Sequence, residues 1–296
     1  MPSRIELELF ADEIKNVTCS TTGERWSYIG ILAVPSVKKQ SLLKRLHHHR
    51  ELIHYHGELH GKKLTSNDKM RLAKSWLKEV VFKDAIERSV YFSILGINQS
   101  NINTDAFGDK EFDNMYNRLF RATIVGLLHI AFDKQALKVV KDIYHDNANI
   151  ESHEYFSWHV PYHIDRNQPD IAFECQEITF IDSDHRKSQS DNSHLIQLTD
   201  LLLAGTSQCL DYTSHQDHKV ELGRTMYPLV KRMLRSPWNH KSSYGHSRKF
   251  MVSFFPRKKL SHTDLENELY RGSSAYYLDR ELVFDEKGHG QENLFS

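Results

Sequence analysis

Apolar residues at positions 5, 7 and 9 alternate with Glu6 and Glu8 near the start of the chain, and the run closes on Phe10, Ala11 and two acids, Asp12 and Glu13. A period of two belongs to a strand with one buried face, so 5–13 predicts a first strand that delivers carboxylates at its end. The run WSYIGILAV over 26–34 predicts its antiparallel partner across a polar loop. From Ser36 the period lengthens, and Leu42, Leu43 and Leu46 mark the inner face of a helix reaching residue 53. A Gly-flanked loop, 57–64, precedes a helix capped by Ser66, Asn67 and Asp68 that runs to residue 82. A third strand is predicted over 86–97, a turn-rich connection over 98–108, and a helix over 110–132 with Leu119, Ile124, Leu127 and Leu128 inward. A fourth strand, 137–144, runs into His145 and Asp146, and a fifth spans 171–181. A polar linker then leads to a markedly apolar helix over 193–205, followed by a helix over 220–234 and a strand over 250–255 closed by Pro256.

Two features of this pattern point to chemistry. An acid closing an apolar strand can merely cap it, or can hold a cation at a sheet edge, and the fourth strand repeats the design of the first with Asp146, or with Asp142 two pleats earlier. Asp200 lies inside the most apolar helix, where a lone buried carboxylate carries a large desolvation cost unless it caps a hydrogen-bond network or binds a cation. Gln197 and His194 precede it at helical spacing and form one polar stripe. The loop 57–64 gathers Glu58, His60, Lys62 and Lys63, types that together suit metal and phosphate. His47, His48 and His49 are consecutive on a helix and point about 100° apart, so three in a row cannot face one ion and read as surface residues. The segment 150–165, rich in aromatics and His, is expected to cover the cleft and could stack a base.

Composition narrows the classes. With 39% hydrophobic and 26% charged residues the chain reads as soluble and globular, with no stretch long enough for a membrane span and no secretory leader. Three widely spaced cysteines argue against a disulfide framework and favour a reducing, cytoplasmic setting. Basic and acidic residues balance at 39 each, so attraction to a polyanion has to come from local patches such as Lys62 and Lys63.

In this order of elements the chain resembles the ribonuclease H-like superfamily, and more closely the nucleases catalogued as the domain of unknown function 3800 family. The resemblance is carried by Ala11-Asp12-Glu13, by Glu58-Leu59-His60-Gly61-Lys62-Lys63-Leu64, by Asp146, by Ile196-Gln197-Leu198-Thr199-Asp200-Leu201 with Ala204-Gly205, and by Phe254-Phe255-Pro256. Ile14 stands where that family has Ser, and Glu58 precedes the third strand, so Glu111 or Asp113 on the later helix is an alternative to it. The resemblance implies an α/β, ribonuclease H-like domain over 1–256, with a mixed five-stranded sheet flanked by helices. The first two or three strands would be antiparallel and the first and fourth parallel, with helical insertions and a C-terminal extension over 257–296. It further implies a metal-dependent nuclease acting on RNA or DNA, alone or in a homo-oligomer or larger complex.

Two carboxylates about 4 Å apart repel by about 4 kcal/mol at an effective dielectric near 20, so three or four at one rim require a cation. Oxygen ligands without cysteine select Mg²⁺ or Mn²⁺. The expected ligands are Asp12, Glu58, Asp146 and Asp200, with Asp12 bridging two ions. His194 is expected in proton transfer, and Lys62, Lys63, His60 and Gln197 at the substrate. A catalytically silent binding subunit on the same fold, or a hydrolase of small nucleotides, are the competing expectations.

Overall fold

The computed structural model describes residues 3–83, 89–102, 107, 111–133, 135–147, 155–235 and 249–256. The expected C-terminal extension, 257–296, and residues 103–106 and 108 of the 98–108 connection lie outside them, as do the side chain of Glu111 and the first part of the 150–165 segment.

The alternating N-terminal segment forms β1, Arg4–Thr18, longer than its apolar core, and the second run forms β2, Arg25–Pro35. Helix α1, Ser36–Ile53, ends on His54 in the left-handed region, and a short turn at Gly61–Lys63 precedes α2, Asn67–Lys78. Strand β3 is Tyr91–Asn98, α3 is Glu111–Ala131 and β4 is Leu137–Asp146. Helix α4, Phe156–Asn167, follows. The expected fifth strand over 171–181 is two short ones, β5 Ile171–Phe173 and β6 Thr179–Ile181, both beside β4. The apolar run is broken between them by Glu174, Cys175, Gln176 and Glu177, which carry no alternation to sustain a single strand. The linker folds a short helix, α5 (His185–Ser188), ahead of α6, Asn192–Asp211, and α7, Asp217–Arg235; β7 is Phe250–Phe255.

The result is a mixed α/β fold with helices on both faces of a seven-stranded sheet, not five, in the order β5-β4-β1-β2-β3-β7 with β6 also on β4. β1, β2 and β3 are antiparallel neighbours, β4 lies parallel to β1, and β7 adds a parallel edge to β3. Alternation divides the core. Phe10, Ile14, Tyr28, Leu32 and Phe92 face α1, α2, α6 and α7, while Leu7, Leu9, Ala11, Ile29 and Ile31 face α3 and α4. Helix α6 is buried almost all round, every residue but Asn192 and Ala204, because sheet covers one side and α1, α2 and α7 the other. Among the described residues no helix is long and apolar enough to cross a membrane.

Candidate carboxylate centre

The pleat that sends Phe10 and Ile14 toward α6 sends Asp12 the same way, and the register Ala11↔His145 sets Asp12 level with Asp146 on the neighbouring parallel strand. Helix α6 carries Asp200 over the same place. Asp12 and Asp200 are each 6% exposed, so their charges meet little water. Burial, then the charges of Asp200 and Asp146, push the Asp12 carboxyl well above the usual carboxylate range, although the Glu13 amide donates to its Oδ1 at 2.8 Å. Asp146 is raised by burial and by Asp200, and partly relieved by His145 and by the Asn147 amide at 3.0 Å. Asp142, the other candidate on β4, pairs in register with Glu8 and influences Tyr144 and Cys175, two pleat repeats short of the centre.

Facing these acids is the loop from α1 to α2, pinned by a buried clamp. Arg50, 2% exposed, donates to the carbonyls of Tyr55 and Gly57 at 3.2 and 2.8 Å and to Gln197 Oε1 at 2.6 Å. The same Gln197 oxygen accepts the Leu59 amide at 3.0 Å, and its Nε2 donates to the Ser183 carbonyl at 2.6 Å. With both ends engaged by the protein, Gln197 serves the loop and is not free for substrate, contrary to expectation. The loop then delivers the Gly61 amide at 2.6 Å and His60 Nδ1 at 2.8 Å to Asp200 Oδ2. This hydrogen bond to Asp200 is the main cause of a raised His60 pKa, with Glu58 adding to it.

Glu58 accepts from Ser183 Oγ at 2.9 Å and is not among the charges that raise Asp12, so it stands at the margin of the group. Asp113 belongs to α3, in the opposite layer. So does the inner face of α4, and the segment expected to cover the cleft packs Phe156, Val160 and Ile164 on the far side of the sheet instead. Glu13 also points there, bonded to Tyr116 at 3.1 Å and His145 at 3.2 Å.

His194 is 2% exposed, edge-on to His47 and Trp76, and burial brings its pKa down to about 2. A ring so enclosed and so hard to protonate is unsuited to the proton transfer expected of it; His60 is the histidine that touches the carboxylates. Lys62 and Lys63 are exposed at the rim, Lys63 near enough to influence His60. Lys219, which sequence reasoning missed, lies within reach of both Asp200 and Lys62 at the start of α7, and burial lowers its pKa. Nothing in its local pattern distinguishes it from other surface lysines.

Among the described residues the set of three ligand atoms lying within 4.8 Å of one another belongs to His47, Asp191 and His194; the three aspartates are spread more widely. No family model and no curated protein matches this chain. Its chemistry therefore has to be argued from the residues themselves.

Proposed function

We propose that the protein is a divalent-metal-dependent phosphodiester hydrolase, a nuclease of ribonuclease H-like architecture acting on RNA or DNA. The observation that carries this reading is the burial of Asp12 and Asp200 beside Asp146, a gathering of acids from three elements remote in sequence that the His60–Asp200 pair compensates only in part. A purely structural network would neutralise every such charge; here His60 pairs with Asp200 while Asp12 and Asp146 lack a basic side chain in hydrogen-bond contact among the described residues, which is costly in a buried place unless a cation joins them. The strand order, with β4 beside and parallel to β1, supports the same reading.

The donors fit a hard cation. They are carboxylate oxygens with no cysteine among them, and their wide spacing leaves room for the waters that Mg²⁺ keeps. Asp12, Asp146 and Asp200 would hold Mg²⁺ or Mn²⁺, with Glu58 reaching in from the loop. When bound, such ions supply an activated water and a stabilised leaving oxygen for in-line displacement at phosphorus. The chain's own groups do the rest: Lys62, Lys63 and Lys219 attract the phosphate backbone, and His60 keeps its own proton against Asp200 Oδ2 until that carboxylate is otherwise engaged.

A second reading, a metal-free binding subunit, has one observation in its favour: His60 and the Gly61 amide already satisfy Asp200 Oδ2. Incubation with single- and double-stranded RNA and DNA in Mg²⁺ or Mn²⁺ separates the two. Cleavage is expected, and Asp12→Asn and Asp200→Asn are each expected to lower it at least about 100-fold, as loss of a metal-site group does. Nucleic-acid binding without cleavage, unchanged in both variants, would establish the silent subunit.

A further inference from the structure

A second cluster lies about 9 Å further toward the start of α6 than Asp200, six residues at the helical rise. One nitrogen each of His47 and His194 and one carboxylate oxygen of Asp191 lie within 4.8 Å of one another. Two elements meet there: α1 brings His47, and α6 brings Asp191 from its N-cap position and His194 from its first turn.

Two observations separate this group from chance proximity. His194 is 2% exposed, yet its Nδ1 is buried without a hydrogen-bond partner, an expensive state for a polar atom unless something supplies one. Asp191 occupies an N-cap position but its side chain caps no helix amide; it turns to His47 Nε2 at 3.3 Å instead. Ordinarily an aspartate there would satisfy an orphan N–H of the first turn. The His47 and His194 rings meet edge to face with centroids 4.5 Å apart, and the His185 ring lies 4.4 Å from that of His194. Consecutive histidines on α1 do not share this site: His49 turns to Glu79 at 3.4 Å.

We propose that His47, Asp191 and His194 form a transition-metal site, of the Zn²⁺ type, that ties α1 to the start of α6. Two imidazoles and one carboxylate are the donors that borderline cations prefer over Mg²⁺, and with three protein ligands water completes the coordination. The site is open on one side, since the side chains of His47 and Asp191 are 42% and 66% exposed while His194 forms the floor. Its ligands differ in kind from the carboxylate centre, so its metal is distinct from any ion bound there.

Co²⁺ titration of the full-length protein, followed by visible absorption, tests this. Using an Asp12→Asn, Asp200→Asn background removes the carboxylate centre from the measurement. One equivalent of Co²⁺ is expected to give the d–d bands of a nitrogen-ligated ion and to be displaced by Zn²⁺. His47→Ala, at a half-buried position, and Asp191→Asn, at an exposed one, are each expected to weaken Co²⁺ affinity about tenfold or more. In the same background Zn²⁺ should also raise the melting temperature, and no longer do so once His47→Ala is added. Absence of the bands, or bands of equal affinity in His47→Ala, would overturn the proposal whatever becomes of the nuclease reading.

Discussion

Asp12 keeps its carboxylate among like charges, with the Glu13 amide as its hydrogen-bond donor, and that arrangement makes a prediction about stability. Because the folded-state pKa values of Asp12 and Asp146 are raised, their protonated forms favour the fold. That contribution is present below the ordinary aspartate value of about 4 and is lost as pH rises through the folded values. At neutral pH without metal, Asp12→Asn should therefore stabilise the protein, by about 1 kcal/mol on the scale usual for relieving a functional site. Thermal melts with and without Mg²⁺ check this: the unsubstituted protein should gain from the ion and the variant should not. A destabilised variant, insensitive to metal, would mean the carboxylate is structural. His60 carries the same sign in a higher pH window. Its pKa is raised by the Asp200 hydrogen bond, so their pairing contributes stability below the ordinary histidine value of about 6.5 and loses it as pH rises through the folded value. An NMR histidine titration should find the His60 midpoint above that ordinary value and lower in Asp200→Asn.

At the scale of elements, the loop is only as well placed as its clamp. Gln197→Leu would leave the buried Arg50 guanidinium short of an acceptor and the Leu59 amide unpaired. A loss of about 2–4 kcal/mol in chemical denaturation is expected. Gly61 explains why the loop can lie so near α6: a Cβ there would collide with that of Ala204. Much of this layout was legible beforehand. The alternation of β1 and the dense apolar residues over 195–205 of α6 reveal their burial directly, and Asp12, Asp146 and Asp200 are conspicuous because each ends or interrupts such a pattern. What escaped depended on distant partners. Gln197 looked like a substrate group because its engagement with Arg50, 147 residues away, leaves no local trace. His47 looked like surface because adjacency to His48 and His49 was visible, whereas proximity to Asp191 and His194 exists only after α1 and α6 pack. The run over 171–181 read as one strand because length and apolarity do not report where a short edge segment breaks off.

For the molecule as a whole, α6 is the common member: it carries Asp200, Gln197 and His194, and it lies between the sheet and α1, α2 and α7. Hydrogen exchange should accordingly be slowest along α6 and the central strands, and faster over 54–64, where Glu58 and His60 are half exposed and much of the backbone borders water. Equal protection of the two would mean that the loop is fixed as firmly as the helix. Enclosure on every side also decides which part can yield. A helix with no free face cannot shift without opening the core, so Asp200 is held on a rigid support, and any local opening beside it falls to the short stretch of chain held down by Arg50.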